Sequence, residues 1–122
     1  MASAQTDITR MIFKICASAA WDEACAAGRF AGAPVDLADG FIHLSAADQV
    51  RETAAKWFAG QDGLVLVGFD PDALGPELRW EASRGGALFP HLYAPLPTDA
   101  ARLVAPLTAG PGGAFVFPEG VP

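Results

Sequence analysis

Asp39-Gly40-Phe41-Ile42-His43-Leu44-Ser45 is the stretch from which the fold is read. Phe41 to Leu44 is a short apolar run broken by one titratable ring, the pattern of a buried strand with a polar group near its end. Ser45 follows as an N-cap, and Val50, Ala54, Trp57 and Phe58 recur at helical spacing, so the strand is read as passing into a helix over residues 45–59. Asp48 falls in the first turn, where the positive end of the helix dipole favours it, and Gly60 ends the helix. A strand end beside a helix N-terminus is a common seat of chemistry in mixed folds. His43 and His91 are the only two histidines, so any imidazole chemistry rests on them.

Upstream, Ile12 to Cys16 reads as a first strand. A helix over residues 19–27 follows, capped by Ser18, with Trp21 and Cys25 on one face and Gly28 as its stop. Residues 29–40 hold Gly32, Pro34 and Gly40 and read as a loop. Downstream, Leu64 to Phe69 is a nearly unbroken apolar run, the mark of a central strand. Asp70-Pro71 opens a turn, Leu78 to Ala82 is a short strand, and residues 83–87 form a mobile glycine loop. Phe89 to Ala94 is extended, with Pro95 and Pro97 bracketing its end, which suits an edge or a strand terminus better than a sheet centre. Thr98 caps a short helix to Val104, and Ala114 to Phe117 is a last strand. Strands and helices alternate without a βαβ rhythm, which favours α+β over a doubly wound sheet. Residues 1–10 are expected to be a flexible extension and residues 11–122 a single α+β domain.

Apolar residues make up 52% of the 122 and charged residues 18%, enough for the core of one domain. The net charge of -6 argues against nucleic acid and against an anionic membrane surface, since both need a basic face. No stretch approaches the ~18 apolar residues of a membrane helix. The N-terminus has no basic segment leading into an apolar one, so a cytoplasmic protein is expected. Cys16 and Cys25 lack metal-ligand spacing and read as small buried hydrophobes. A small-molecule ligand fits this field, and the composition leaves the oligomeric state open.

Period-two alternation groups the candidate site residues. His43 and Ser45 share a strand face. Arg79 and Glu81 share another, with Trp80 opposite as a wall or a core residue. His91 and Tyr93 share a third. A partly buried imidazole can act as acid, base or hydrogen-bond donor near neutrality, so His43 is the first candidate catalytic group, with Glu81 and His91 grouped beside it. No metal site is expected. No phosphate loop, dinucleotide fingerprint or nucleophile elbow occurs.

Phe13-Lys14-Ile15, Trp21 and Ala24, Asp39 to Ser45, Gln49 with Thr53 and Ala54, Leu78-Arg79-Trp80-Glu81, and Phe89-Pro90-His91-Leu92-Tyr93 with Leu96-Pro97 together resemble the small bacterial family called domain of unknown function 952. The likeness runs from about Met11 to Leu107. It implies a distant relation to the ADP-ribosyltransferase-like fold, a split, mainly antiparallel β-core flanked by two to three helices that holds NAD in a cleft. Gly40, Phe41, Ser45 and the helix through Ala54 resemble that fold's strand-to-helix motif. Glu81 resembles its late acidic residue, which meets the nicotinamide ribose. Lys14 stands where such transferases carry His or Arg. The implied function is a cleft lined by His43, Glu81 and His91, with Lys14, Ser45, Arg79, Trp80 and Tyr93 binding substrate. Its ligand would be NAD, ADP-ribose or a related nucleotide or phosphate ester, with NAD as substrate rather than resident cofactor. A transferase or hydrolase is one form of this reading. The alternative is a non-catalytic ligand sensor or protein-interaction module on the same fold.

Overall fold

Leu64-Val65-Leu66-Val67-Gly68-Phe69 is buried at all six positions, which requires protein on both faces and a strand on each side. The computed structural model describes residues 7–122 and supplies all of these. Its elements are β1 (Ile12–Ala17), α1 (Ser18–Ala27), β2 (Arg29–Phe30), α2 (Pro34–Asp39), β3 (Ile42–His43), β4 (Ser45–Ala46), α3 (Val50–Trp57), β5 (Leu64–Phe69), β6 (Leu78–Ala82), β7 (Leu88–Leu92), β8 (Leu96–Pro97), β9 (Ala101–Ala109) and β10 (Phe115–Val116). β5 is the middle of a five-stranded sheet of order β10-β9-β5-β1-β4, antiparallel throughout. β3, β7 and β6 form a three-stranded antiparallel sheet, and β2 pairs with β8. The described residues form a single α+β domain with three α-helices.

Alternation along β1 and β5 divides the core in two. Ile12, Cys16, Val65, Val67 and Phe69 face one way, onto Trp21 and Ala24 of α1 and onto Ile42, Leu44, Leu92 and Leu96. Met11, Phe13, Ile15, Leu64 and Leu66 face the other way, onto Val50 and Ala54 of α3 with Leu107 and Val121. Each fully buried large side chain, such as Phe13 or Phe69, contributes about 1.5–3 kcal/mol. Arg51 on α3 ties down the C-terminus, donating to the Pro122 and Val121 carbonyls at 2.7 and 3.0 Å.

Several local expectations are corrected. Ser45 does not cap a helix: it lies in β4 opposite Phe13, and its hydroxyl meets Thr53 Oγ1 at 2.8 Å. α3 starts only at Val50. Ser18 is the first residue of α1, with Ala17 at the cap. Residues 29–40 are not a loop, because Pro34 opens α2 and Gly40, at φ 87°, closes it. Residues 98–104 are not a helix: one 3-10 turn gives way to β9, since pairing with the open side of β5 outweighs local propensity. β7 is the centre of its sheet rather than an edge. Its Pro90 is tolerated because the Pro90 carbonyl accepts from Leu44 N at 3.1 Å. The missing N–H therefore points the same way, past the end of the short β3–β7 ladder. Cys25 is exposed, whereas Cys16 is buried, which pushes its thiol up to about 11. Of the expected N-terminal extension, residues 1–6 lie outside the described residues. Ile8–Arg10 forms a 3-10 turn whose Ile8 packs against the second core cluster.

Gly68 shows how tightly the β1–β5 seam is packed. A Cβ there would stand 2.9 Å from Met11 Sδ and 3.0 Å from Phe13 Cε2. Gly68→Ala should therefore destabilise the fold by about 1–3 kcal/mol through overpacking. In urea unfolding, the midpoint should fall at unchanged slope.

Candidate functional site

The register of the three-stranded sheet decides which side chains meet. Directly opposed residues share a face, and His91 is opposed by His43 on one side and Arg79 on the other. Period two adds Glu81 and Tyr93 to that face. Ile42 and Leu92 point the other way, into the first core cluster.

Phe41 occupies the middle of the cluster. Its ring stacks on His91 at 4.1 Å and 28°, and lies 4.6 Å from His43 and 5.2 Å from Tyr93. The two imidazoles are 5.7 Å apart, edge to face. His91 Nδ1 meets Glu81 Oε1 at 2.8 Å, and the Tyr93 hydroxyl donates to the same oxygen at 2.7 Å. The Tyr93 hydroxyl, and then the His91 ring, hold the Glu81 carboxyl below its usual range, and Glu81 in turn raises the Tyr93 phenol. A carboxylate held ionised can only accept, so Glu81 is the acceptor and His91 Nδ1 the donor. Among the described residues Nε2 has no partner, and no fully buried side-chain nitrogen or oxygen lacks one, so Nε2 reaches solvent. Glu81 Oε2 is likewise without a partner among the described residues.

Asp36 supports the cluster from beneath. Its Oδ1 accepts from Lys14 Nζ at 3.0 Å, His43 N at 3.0 Å and His43 Nδ1 at 2.7 Å. Its Oδ2 meets Lys14 Nζ at 2.8 Å and accepts from Ala33 N at 2.8 Å, the third helical residue reaching back to its cap. Burial pushes this carboxyl up. The Lys14 ammonium and the His43 donors outweigh burial and hold it below its ordinary value. Outside this ring, His43 Nε2 meets the exposed Asp39 Oδ2 at 2.9 Å. Both nitrogens of His43 bond to carboxylates at once only when both carry hydrogen.

A depression of about 250 Å³ lies beside the cluster, between α2 and the end of β7. Phe41, Tyr93, Leu37, Ile42 and Pro95 line it, with Asp36 at its base. Its walls are apolar and aromatic, as in small-molecule sites. Among the described residues no group of three or more His, Cys, Asp or Glu side chains is placed to hold a metal ion. No described helix is long and apolar enough to cross a membrane.

The structure therefore brings His43, His91, Glu81 and Tyr93 together, with the Arg79 guanidinium 5.5 Å from the Tyr93 ring. It does not bring Ser45 or Trp80 to this face. Leu44 separates β3 from β4, so Ser45 enters a different sheet from His43, and Trp80 is on the opposite face from Glu81. Lys14 is near but inward, its ammonium bonded to Asp36 and to the His43 carbonyl at 3.1 Å. Asp36, Asp39 and Phe41 were missed as site residues. The available signal was Pro34, Asp36 and Gly40 at first-turn, third-residue and stop positions of a short helix.

These features define a small α+β domain with a histidine–carboxylate cluster on one face of a short antiparallel sheet. The chain belongs to the family described as "Protein of unknown function (DUF952)", whose pattern matches residues 15–104. The crystal structure of protein CC0527 from Caulobacter crescentus is similar at 55% identity, covering 87% of this chain and 93% of that one, with a TM-score of 0.83. The solution NMR structure of CC0527 is similar at 56% identity, covering 85% of this chain and 90% of that one, with a TM-score of 0.78. No curated protein matches the chain.

Asp36→Asn would leave the buried Lys14 ammonium without its counter-charge and should cost about 3–5 kcal/mol. The sign with pH follows from the lowered carboxyl. Between its native value and the ordinary 3.8, the unfolded chain binds the proton and the folded chain does not. The stabilisation is therefore complete above that range and lost as pH falls through it. Acid titration of the unfolding free energy should show this loss in the parent and a weaker one in Asp36→Asn.

Proposed function

We propose that this cluster binds a small molecule and that His91, oriented by Glu81, is its acid–base group. The observation that carries the reading is the pairing of His91 Nδ1 with an ionised Glu81 while Nε2 reaches solvent. A carboxylate on one ring nitrogen fixes the tautomer and makes the other a base or acceptor. A ligand resting against Phe41 and Tyr93 would bring a hydroxyl to Nε2 and to Glu81 Oε2.

The ADP-ribosyltransferase-like reading of the fold belongs to this proposal and names the first ligands: NAD, ADP-ribose and related nucleotides or phosphate esters. In it, Glu81 Oε2 faces the ribose and stabilises developing positive charge, as a carboxylate can. Arg79 is the exposed cation available to a phosphate, and His43 is a second donor if Asp39 turns away. A cytoplasmic setting is part of the same proposal.

A second reading, a non-catalytic sensor, is favoured by how much of the polar equipment is already engaged. Both His43 nitrogens, the Lys14 ammonium and the Ser45 hydroxyl have partners within the protein.

Thermal unfolding with NAD, ADP-ribose and nucleoside monophosphates tests the common part. Ligand at a hundred times its dissociation constant should stabilise by roughly 2.7 kcal/mol. No shift with any of them would remove these ligands. Turnover followed by mass spectrometry separates the two readings. His91→Asn and Glu81→Gln should cut an enzymatic rate by about 10²–10⁴ while retaining binding. Binding without turnover by the parent assigns the sensor.

A further inference from the structure

β6 is the outer strand of its sheet, and its free edge has a definite chemical pattern. Ser83 N donates to the Ala87 carbonyl and Tyr93 N to the Glu77 carbonyl, both at 3.0 Å. Hydrogen-bonded pairs alternate in an antiparallel ladder, so Arg79 and Glu81 also bond to β7, and Leu78, Trp80 and Ala82 do not. The N–H and C=O groups of Trp80 and Ala82, and the Leu78 carbonyl, therefore point out to the edge. The Leu78 N–H turns back to Gly75 O at 3.3 Å. Beside this edge Trp80 is 45% and Leu88 54% exposed, on the face away from the histidines.

We propose that this edge pairs with the same edge of a second copy, antiparallel about a two-fold axis at Trp80. The strand reads Leu-Arg-Trp-Glu-Ala, apolar, positive, aromatic, negative, apolar. Pairing centred on Trp80 sets Arg79 against the partner's Glu81 and Glu81 against the partner's Arg79. These are non-hydrogen-bonded pairs, where side chains approach most closely. The two Trp80 residues exchange backbone bonds, and each Ala82 N–H donates to the opposing Leu78 carbonyl. Neighbouring registers fail. Centred on Arg79, the strand sets Arg79 against the partner's Arg79 and Glu81 against the partner's Glu77. Centred on Glu81, it opposes two carboxylates. A slip of one residue puts charged side chains on the Trp80 face.

Edge strands usually avoid self-association by carrying charge. Here the charges favour the pairing centred on Trp80 and discourage the two adjacent registers. The product is a six-stranded sheet with both histidine clusters on one face, each Glu81 opposed by an arginine of the other copy. The pairing rests on the ladder and the sequence of β6 and is independent of the function proposed above.

Sedimentation velocity of the full chain tests it through charge reversal. The parent should sediment as a concentration-dependent dimer. Arg79→Glu and Glu81→Arg, each alone, set like charges against each other twice and should raise the dimer dissociation constant roughly tenfold or more. Mixed in equal amounts, the two variants become complementary and should recover a dimer. A parent that is monomeric at every concentration overturns the proposal, as do single variants that dimerise like the parent or a mixture that stays monomeric. Should either variant lose the native circular dichroism, Ala82→Pro decides. It removes an outward N–H without touching the β7 ladder, so an unchanged dimer in that variant overturns the pairing.

Discussion

The ion pair between Lys14 and Asp36 is the constraint on which the site depends. Both side chains are almost fully buried, at 5% and 1% exposure. Neither could stay charged there without the other. The pair joins β1 of the large sheet to α2, and through the two His43 donors it joins both to β3 of the small sheet. Such a pair adds little stability relative to apolar packing, but it makes alternative placements of α2 costly, because any of them leaves a charge unpaired. His43 inherits its position from this arrangement. The ring is held at Nδ1 from below, so only its outer nitrogen is variable.

The second organising fact is the crossing at Leu44. β3 and β4 are separated by this one residue yet belong to different sheets. Leu44 is buried in the first core cluster, and its N–H is taken by the Pro90 carbonyl. The chain thus peels away from β7 at Leu44, whose carbonyl would have met the N–H that Pro90 lacks, and joins β1 at Ser45. The histidine cluster sits where the two sheets diverge. Strand ends there cannot be covered by neighbouring strands, and Phe41 fills part of the gap by stacking on His91.

Much of this was legible in the sequence. Leu64 to Phe69 and Leu78 to Ala82 were read with the observed bounds, since an unbroken apolar run and a short alternating one leave few options. Alternation also placed Arg79 with Glu81 and His91 with Tyr93. It failed at His43 and Ser45, because period two holds only inside one strand and the break at Leu44 leaves no mark in composition. Thr98 to Val104 was misread because local propensity has no knowledge of the free side of β5. Asp36 was overlooked for a different reason. A lysine in a buried strand demands a counter-charge, but the sequence offers fourteen acidic residues. Only the helix boundary formed by Pro34 and Gly40 places the right one opposite, twenty-two residues from Lys14.

The two histidines end in unlike environments although they face each other across one ladder. His43 is 34% exposed and meets carboxylates at both nitrogens. His91 is 7% exposed and meets a carboxylate at one nitrogen only. Phe41 packs against both rings, at 4.6 Å from His43 and 4.1 Å from His91, so the three rings form one aromatic group.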